Sequence, residues 1–317
     1  LIRVQISETV GTKDGSIPQI RKKVIEYKNT PEVDVMRSNL KRINRAIESR
    51  WIDLELSDDG FVAMQAQMRS RKDRNSEDDR QLNLTKTQLY RVFNDSEFKT
   101  GGRFYGGWWQ NIPKQFRRLI TIDGKRTVEA DFSSLHRSIL YAQQELAPPE
   151  DAYSDVLPDL PRDVAKRAFN AMINAEAPML AQPKGMRLSQ YGYRWQDVVK
   201  AMFERHWAIK DAFFTGAGKY LQRIDSDLAE STMLSFMDYT KPVTILPVHD
   251  SFIMHHGYQN ELKQFMQQHF HAMFGCSISV GIEYGDFSSP LEKPISMDLD
   301  VLLSEMSGAE KRLLLWQ

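Results

Sequence analysis

The sequence predicts an α+β fold, in which helical segments are interrupted by antiparallel hairpins. One observation behind this is a set of apolar residues three and four apart, the spacing of an amphipathic helix, at Met36, Leu40, Ile43 and Ile47. The other two are pairs of apolar runs, the first joined by Asp123-Gly124 and the second by His249-Asp250. Such pairs are typical of β-hairpins, and the second hairpin would hold a carboxylate at its tip.

The composition is that of a globular chain, whose 317 residues and 36.7 kDa are enough to bury a large core. No run approaches the roughly 18 apolar residues that span a bilayer, so we expect no membrane partner. The N-terminus is unlike a signal peptide and lacks an initiator Met, and we expect a monomer or part of a longer chain. The single cysteine, Cys276, excludes an internal disulfide and a Cys-rich zinc site, which fits a cytoplasmic location.

The first 95 residues are predicted to be mainly helical. A second amphipathic segment runs from Phe61 through Met64 to Met68 and leads into a charged stretch at 69–80. Because that stretch has almost no apolar residues, we expect an exposed loop or a helix end there.

A basic and aromatic segment follows, although the whole chain balances 42 basic against 42 acidic residues. Between Lys99 and Arg126 the basic residues are interrupted by one acid, Asp123, and interleaved with aromatic residues, which suits a phosphate backbone and stacked bases. The alternative is a solvated basic face beside core aromatics. The four glycines within Thr100–Gly107 allow a close backbone approach to a ligand, but the segment is not a Walker loop.

The second half of the chain is predicted to be helical around the His249-Asp250 hairpin. A helix at Pro161–Ala175 places polar residues along one face at steps of four, namely Arg162, Lys166, Asn170 and Asn174. Residues 190–240 are helical in pattern with a break at Gly216 and Gly218, and a helix at 259–274 and a strand at 277–284 complete the chain.

Two aspartates far apart in sequence, Asp131 and Asp250, each lie at the end of a predicted strand. If both strands belong to one sheet, the carboxylates converge and hold two Mg²⁺ ions, with Mn²⁺ as a substitute. Two metals roughly 3.5 to 4 Å apart clamp the attacking and leaving oxygens of a phosphoryl transfer, and a helix carrying Arg and Lys can hold the triphosphate. These features predict nucleotidyl transfer, while an ordinary hairpin with a polar tip stays open as the alternative.

Four fragments in order resemble the family A (polymerase-I-like) DNA polymerases, over roughly residues 95–290. They are Thr100-Gly101-Gly102-Arg103 with Gln110-Asn111-Ile112-Pro113, Asp131-Phe132-Ser133-Ser134-Leu135-His136, Arg162 and Lys166 with Phe169-Asn170, and Val248-His249-Asp250. The fragment His249-Asp250-Ser251-Phe252 is also similar to the single-subunit, phage-type RNA polymerases. The resemblance implies a right-hand architecture, with a small antiparallel palm sheet, helical fingers and a helical thumb, and without room for a proofreading domain.

The resemblance also implies roles for individual residues. The metal ligands would be Asp131, Asp250 and the carbonyl of Phe132, with His249 and Lys166 completing the catalytic set. The incoming nucleotide would contact Arg162, Lys166, Phe169, Asn170, Asn174, His136 and Phe132. The primer-template would contact Arg103, Gln110, Asn111, Arg117 and Arg118. For Arg103 and Gln110, the alternative is that they only brace the glycine loop.

The departures from the family pattern affect the choice of substrate. His136 stands where the family's DNA polymerases carry a glutamate that excludes the ribose 2′-hydroxyl, so the choice between dNTPs and rNTPs is open. Phe169-Asn170 reverses the family's order of asparagine and aromatic, and Asn174 replaces a tyrosine. The expected function is extension of primer-template DNA with dNTPs; the alternatives are an RNA-synthesising or primase-like polymerase and an inactive nucleic-acid-binding module.

The resemblance divides the chain into four parts. Residues 1–95 would be a thumb-like helical region, 96–149 the first palm part, 150–215 the fingers, and 216–317 the second palm part with a C-terminal tail.

Overall fold

The fold is described by a computed structural model over residues 2–10, 19–70, 81–149, 151–238 and 243–285. Its strands are β1 (Ile2–Val10), β2 (Gln19–Ile25), β3 (Ile52–Leu54), β4 (Tyr90–Phe93), β5 (Gly101–Tyr105), β6 (Ile120–Ile122), β7 (Lys125–Phe132), β8 (Ile245–Val248), β9 (Ser251–His255) and β10 (Val280–Tyr284). Its helices are α1 (Pro31–Glu48), α2 (Asp58–Ser70), α3 (Lys114–Arg117), α4 (Leu135–Ala142), α5 (Arg162–Asn174), α6 (Trp195–Arg205), α7 (Ala217–Met237) and α8 (Gln259–Phe274). The predicted α+β class is confirmed. Most of the predicted charged loop, from residue 71, and most of the predicted C-terminal tail, from residue 286, lie outside the described residues.

The first sheet has the strand order β2-β1-β4-β5, with β1 and β4 parallel and the other pairs antiparallel. The prediction that residues 1–95 are mainly helical is therefore only partly right, because the four strands β1 to β4 lie there beside α1 and α2. In β1, Ile2 and Val4 are buried and Arg3 is exposed, so the strand contains no continuous apolar run. The two helices predicted in this region, α1 and α2, are confirmed.

The second sheet has the order β3-β6-β7-β9-β8, and β10 pairs with β7 as well. It contains both predicted hairpins. The turn of the first has positive φ at Asp123 (51°) and Gly124 (67°), the conformation that suits a two-residue hairpin. Strand β7 pairs with β6 through its first residues and with β9 and β10 through the rest, so it is the strand around which this sheet is built.

The long helices pack on the two sheets. Helix α7 lies against β5 and also contacts α1, α4, α5 and α8, while α8 lies against β7 and β10. In α8, Leu262, Met266 and Phe270 are buried at helical spacing, as expected for the helix predicted at 259–274. No described helix combines the length and the apolar content needed to cross a membrane.

The predicted break at Gly216 and Gly218 is half right. Gly216, with φ 71°, is the residue from which α7 begins, and a left-handed conformation there suits a residue without a Cβ. Gly218 lies inside α7 and does not interrupt it. A Cβ on Gly218 would lie 2.0 Å from Oδ1 of Asn174, so the glycine lets α7 approach α5 closely.

Candidate active site

The two predicted metal-binding aspartates lie side by side at one end of the second sheet. Asp131, near the end of β7, is paired with Ser251, the first residue of β9, and Asp250 immediately precedes Ser251 in the hairpin turn. The backbone N–H of Phe132 donates to the carbonyl oxygen of Asp250 at 3.4 Å. Residues 119 positions apart in the printed sequence, 131 and 250, therefore share one corner of the sheet.

The carboxylates at this corner repel one another. Burial, followed by the charges of Asp250 and Glu129 and more weakly that of Glu283, raises the pKa of Asp131 to about 7, although Lys114 opposes the shift. Glu129 and Glu283 face each other across the β7–β10 ladder and are held by ion pairs from α3, Arg117 to Glu129 at 3.3 Å and Lys114 to Glu283 at 2.5 Å. Asp131 and Asp250 form no such ion pair with any described residue.

The donor atoms at Asp131 and Asp250 suit a hard divalent cation. Both side chains offer carboxylate oxygens, and the backbone of Phe132 adds a carbonyl, which is the chemistry that Mg²⁺ prefers. A bound cation would offset the excess negative charge of the half-buried Asp131 and Asp250. Among the described residues, no three or more His, Cys, Asp or Glu side chains gather to hold a metal, so water and substrate oxygens would have to complete the coordination.

His249, which precedes Asp250, is held in an unusual conformation. Its φ of 59° lies in the left-handed region, which non-glycine residues adopt at some energetic cost and often at functional sites. The ring packs edge-on against Tyr105 of β5, with centroids 5.7 Å apart, and within the described part of the chain its buried Nδ1 has no hydrogen-bond partner. Burial, with a smaller effect from the charge of Arg103, lowers its pKa.

Arg103, predicted to contact the primer-template, is already paired. Its guanidinium donates to Asp225 of α7, from Nε at 2.9 Å and through a second bond from Nη2. Nε2 of His136 lies 3.0 Å from the same carboxylate and 3.3 Å from Nη2 of Arg103. Arg103 and His136, which the sequence analysis singled out, are thus joined by Asp225, which it did not identify.

The other residues predicted at the primer-template differ in their contacts and in their exposure. Gln110 donates to the carbonyls of Phe104 and Pro247 at 3.0 and 2.9 Å, so it braces the glycine segment against the His249-Asp250 hairpin, the alternative reading above. Trp109 is fully buried and donates from Nε1 to the same Pro247 carbonyl at 3.0 Å. Arg117 is paired with Glu129. Arg118 is exposed, and a cavity of about 390 Å³ is lined by Arg117, Arg118, Glu129 and Glu283. Asn111 is half-buried.

Helix α5 exposes most of the predicted nucleotide-binding residues. Arg162, Lys166, Asn170 and Asn174 are exposed, although Arg162 donates from Nε to Asp151 at 2.8 Å and Asn174 donates from Nδ2 to the carbonyl of Asn170. Phe169 is a correction: its ring is buried and packs against three neighbours, namely Tyr153, His206 and Phe213. It faces inward because its neighbours Ala168 and Met172 belong to the apolar side of the helix, so the ring is placed for packing and not for contact with a nucleotide.

Tyr153 connects α5 to the segment that follows Asp131. The guanidinium of Arg162 lies 5.5 Å from the centroid of its ring, and that of Arg137, which is in α4 six residues after Asp131, lies 5.8 Å from it. Neither Tyr153 nor Asp225 was found from the sequence. Asp225 sits mid-helix among other charged residues, and nothing in its local pattern distinguishes a buried acid from an exposed one.

Comparisons with known proteins add a fold likeness only. No protein-family model matches the chain, and no curated protein matches it. One solved structure that it resembles is the POL domain of Pol1 from M. smegmatis, in complex with DNA primer-template and dNTP, with a TM-score of 0.40 and 16% identity. The alignment covers 58% of this chain and 45% of that chain, so this chain spans less than half of that structure. At so distant a likeness, the function has to be argued from the geometry of the site.

Proposed function

We propose that the protein is a template-dependent nucleic-acid polymerase that extends a primer on DNA with dNTPs. The observation that carries the proposal is the convergence of Asp131 and Asp250 on paired strands, with carboxylates that no described cation pairs. Divalent ions held by these oxygens would supply the charge neutralisation that phosphoryl transfer needs at its attacking and leaving oxygens.

The arrangement of the chain supports a palm built from two separate segments. Strand β7 belongs to residues 96–149, and its partners β9 and β10 belong to residues 216–285. Residues 150–215 therefore form an insertion between paired strands of one sheet. Helices α5 and α6 lie in that insertion, which we assign to the fingers. Residues 1–95, assigned to the thumb, are not purely helical, because they contribute strands to both sheets.

The incoming nucleotide would lie between α5 and the Asp131 corner. The exposed cations Arg162 and Lys166 can neutralise a triphosphate, and the ring of Tyr153 contacts both Arg162 and Arg137 of α4, the helix that follows Asp131. His249 is held next to Asp250 by its φ and its packing on Tyr105, a position suited to orienting the end of the primer. For the template side, the exposed Arg118 lines the cavity beside Glu129 and Glu283, where its guanidinium can contact a backbone phosphate.

A second candidate is RNA synthesis by the same site. It is favoured by His136, whose ring is only 23% exposed and is hydrogen-bonded to Asp225, so no carboxylate of its own faces the bound sugar at this position.

The test is Mg²⁺-dependent extension of a labelled primer, measured with dNTPs and with rNTPs and with and without a primer. We expect the wild-type protein to extend the primer and the variants Asp131→Asn and Asp250→Asn to lose at least about a thousandfold in rate, as for removal of a group essential to charge stabilisation. Asp59→Asn, at an exposed aspartate of α2, is the matched control and should keep full activity. Binding of primer-template without any turnover would instead identify a nucleic-acid-binding module.

A further inference from the structure

Asp225 is the most completely buried carboxylate next to the site. Its side chain is 0% exposed, in the middle of α7, and it accepts hydrogen bonds from Arg103 and lies within hydrogen-bond distance of His136. A buried carboxylate is retained at a cost unless its oxygens are satisfied, and here both partners come from other elements, Arg103 from β5 and His136 from the first turn of α4. One acid therefore holds two elements in fixed relation.

The hydrogen bond also determines where the proton of His136 lies. A carboxylate only accepts, so Nε2 of His136 must carry the proton that it donates to Asp225. The guanidinium of Arg103 also only donates, and its bonds go to Asp225, which leaves the 3.3 Å approach to Nε2 as a contact and not a second hydrogen bond. In the neutral imidazole, Nδ1 is then an acceptor that suits a hydroxyl donor.

This unit lies beside the proposed reaction centre. The charge of Asp250 is close enough to help raise the pKa of Arg103, after the opposing effect of burial and the larger effect of Asp225. His136 is five residues from Asp131, at the start of the helix that follows it. Arg103 and His136 keep 17% and 23% of their side chains exposed, so both can still meet a ligand.

The neighbouring acids of α7 have a different role. Glu230 pairs with Arg91 at 3.0 Å, and Arg91 is fully buried between α7 and β5, where it also donates to the carbonyl of Gly102. Asp227 lies 3.7 Å from the same Arg91 and also pairs with Arg223 on its own helix. These contacts dock α7 on the first sheet without Asp225, so docking alone does not explain why an acid is buried at position 225.

We propose that Asp225 is a positioning residue: it holds Arg103 and His136 as one unit beside Asp131 and Asp250, and it fixes the Nε2–H form of His136, whose Nδ1 accepts a hydrogen bond from a sugar hydroxyl of the bound nucleotide. The first half rests on the geometry alone. The second half rests on the proposed function, because the hydroxyl groups nearest the reacting phosphate of a nucleotide are those of its sugar.

The first half is tested on the free protein by ¹⁵N NMR of selectively labelled histidines, whose shifts report which ring nitrogen carries the proton. The His136 signals are identified by their loss in His136→Gln. We expect the Nε2–H form in the wild-type protein and in Asp227→Asn, and a mixture of tautomers in Asp225→Asn. A protonated Nδ1 with bare Nε2 in the wild-type protein would overturn the proposal, and this measurement does not require Asp225→Asn to fold.

The second half is tested by kcat/KM for rNTP, dNTP and 2′,3′-dideoxynucleotide on one primer-template. Asp225→Asn and His136→Gln should each lower one kcat/KM ratio by about fivefold, the effect of one lost neutral hydrogen bond. A 2′-hydroxyl contact lowers the rNTP/dNTP ratio, and a 3′-hydroxyl contact lowers the dNTP/dideoxynucleotide ratio. The double variant should lower the same ratio no further than either single variant. If neither kcat/KM ratio changes in the two variants, the proposed sugar contact is overturned. If the wild-type protein incorporates no nucleotide, the proposed function and the sugar contact both fail, and the NMR result still decides whether Asp225 positions His136.

Discussion

Glu129 lies directly opposite Glu283 in the ladder between β7 and β10, two residues from Asp131. Like charges at directly opposite positions destabilise a sheet unless cations intervene, and here Arg117 and Lys114 of α3 supply them. The same strand end then places Asp131 against Asp250 without such a partner among the described residues. The corner is therefore destabilised in the absence of a bound cation.

We expect Asp131→Asn to stabilise the metal-free protein while it removes activity. The gain should be about 1 kcal/mol at pH 8, less than a pKa of about 7 implies, because solvent screens the exposed part of the carboxylate. Urea denaturation in the presence of a chelator measures it, with Asp211→Asn, at an exposed aspartate outside the first turn of any described helix, as the control. Mg²⁺ should raise the Tm of the wild-type protein and leave that of Asp131→Asn unchanged; a variant less stable than the wild-type protein would contradict the repulsion.

Lys166 and its neighbour Arg167 provide a test of the nucleotide side. Both are exposed cations on α5, but only Lys166 lies on the face that also carries Arg162 and Asn170. Lys166→Ala should raise the KM for the nucleotide by at least about tenfold, the effect of losing a charge-assisted phosphate contact, and Arg167→Ala should leave it within about twofold. Steady-state kinetics at saturating primer-template separates the two. Equal effects of both variants would mean that α5 acts through its net charge alone.

Gly107 is expected to tolerate no side chain. A Cβ there would lie 2.3 Å from the ring of Trp109, which is fully buried and bonded through Nε1 to Pro247. Because the indole cannot move without losing that bond, Gly107→Ala should cost about 2 kcal/mol and displace the His249-Asp250 hairpin. Gly281→Ala, where a Cβ meets open space, is the control in denaturation experiments. An unchanged midpoint for Gly107→Ala would show that the ring has room to shift.

His206 should make the free energy of unfolding decrease at acidic pH. It is buried between the hydroxyl of Tyr141 and the carbonyl of Ala152, at 3.0 Å from each, and burial lowers its pKa to about 4. Because the unfolded chain takes up this proton near pH 6.5 and the folded chain only near pH 4, the stability from this residue is complete above pH 6.5 and is lost as the pH falls toward 4. The loss at pH 4.5 is about 2 kcal/mol.

The measurement compares the free energy of unfolding at pH 7.5 and 4.5. His206→Gln should lack this part of the pH dependence, and His271→Gln, at an exposed histidine of α8, should retain it. The same slope in His206→Gln as in the wild-type protein would rule out His206 as its source.

The sequence was informative where chemistry and local pattern coincide. Asp131 and Asp250 were singled out because each lies at the end of a predicted hairpin strand. Their proximity then follows from the pairing of β7 with β9. Among the strands of the first 95 residues, β1 does alternate apolar and polar residues from Ile2 to Ile6, a strand signal that went unused. Strands β3 and β4, of three and four residues, are too short to show a period. Phe169 was misplaced because a helix face cannot be assigned without knowing which side its neighbours cover. Asp225 could not be found at all, since its burial depends on β5 and α4, which are distant in sequence.

The strands of the second sheet come from separate parts of the chain, and this affects the order in which the protein folds. During synthesis Asp131 leaves the ribosome well before Asp250 and the two strands that flank β7. Closing so long a loop is slow relative to forming a helix or a local hairpin, so the corner is expected to assemble late in folding. Until β9 is added, β7 offers a free edge, and any nascent chain stalled before residue 250 lacks Asp250 and is prone to pair with a neighbour.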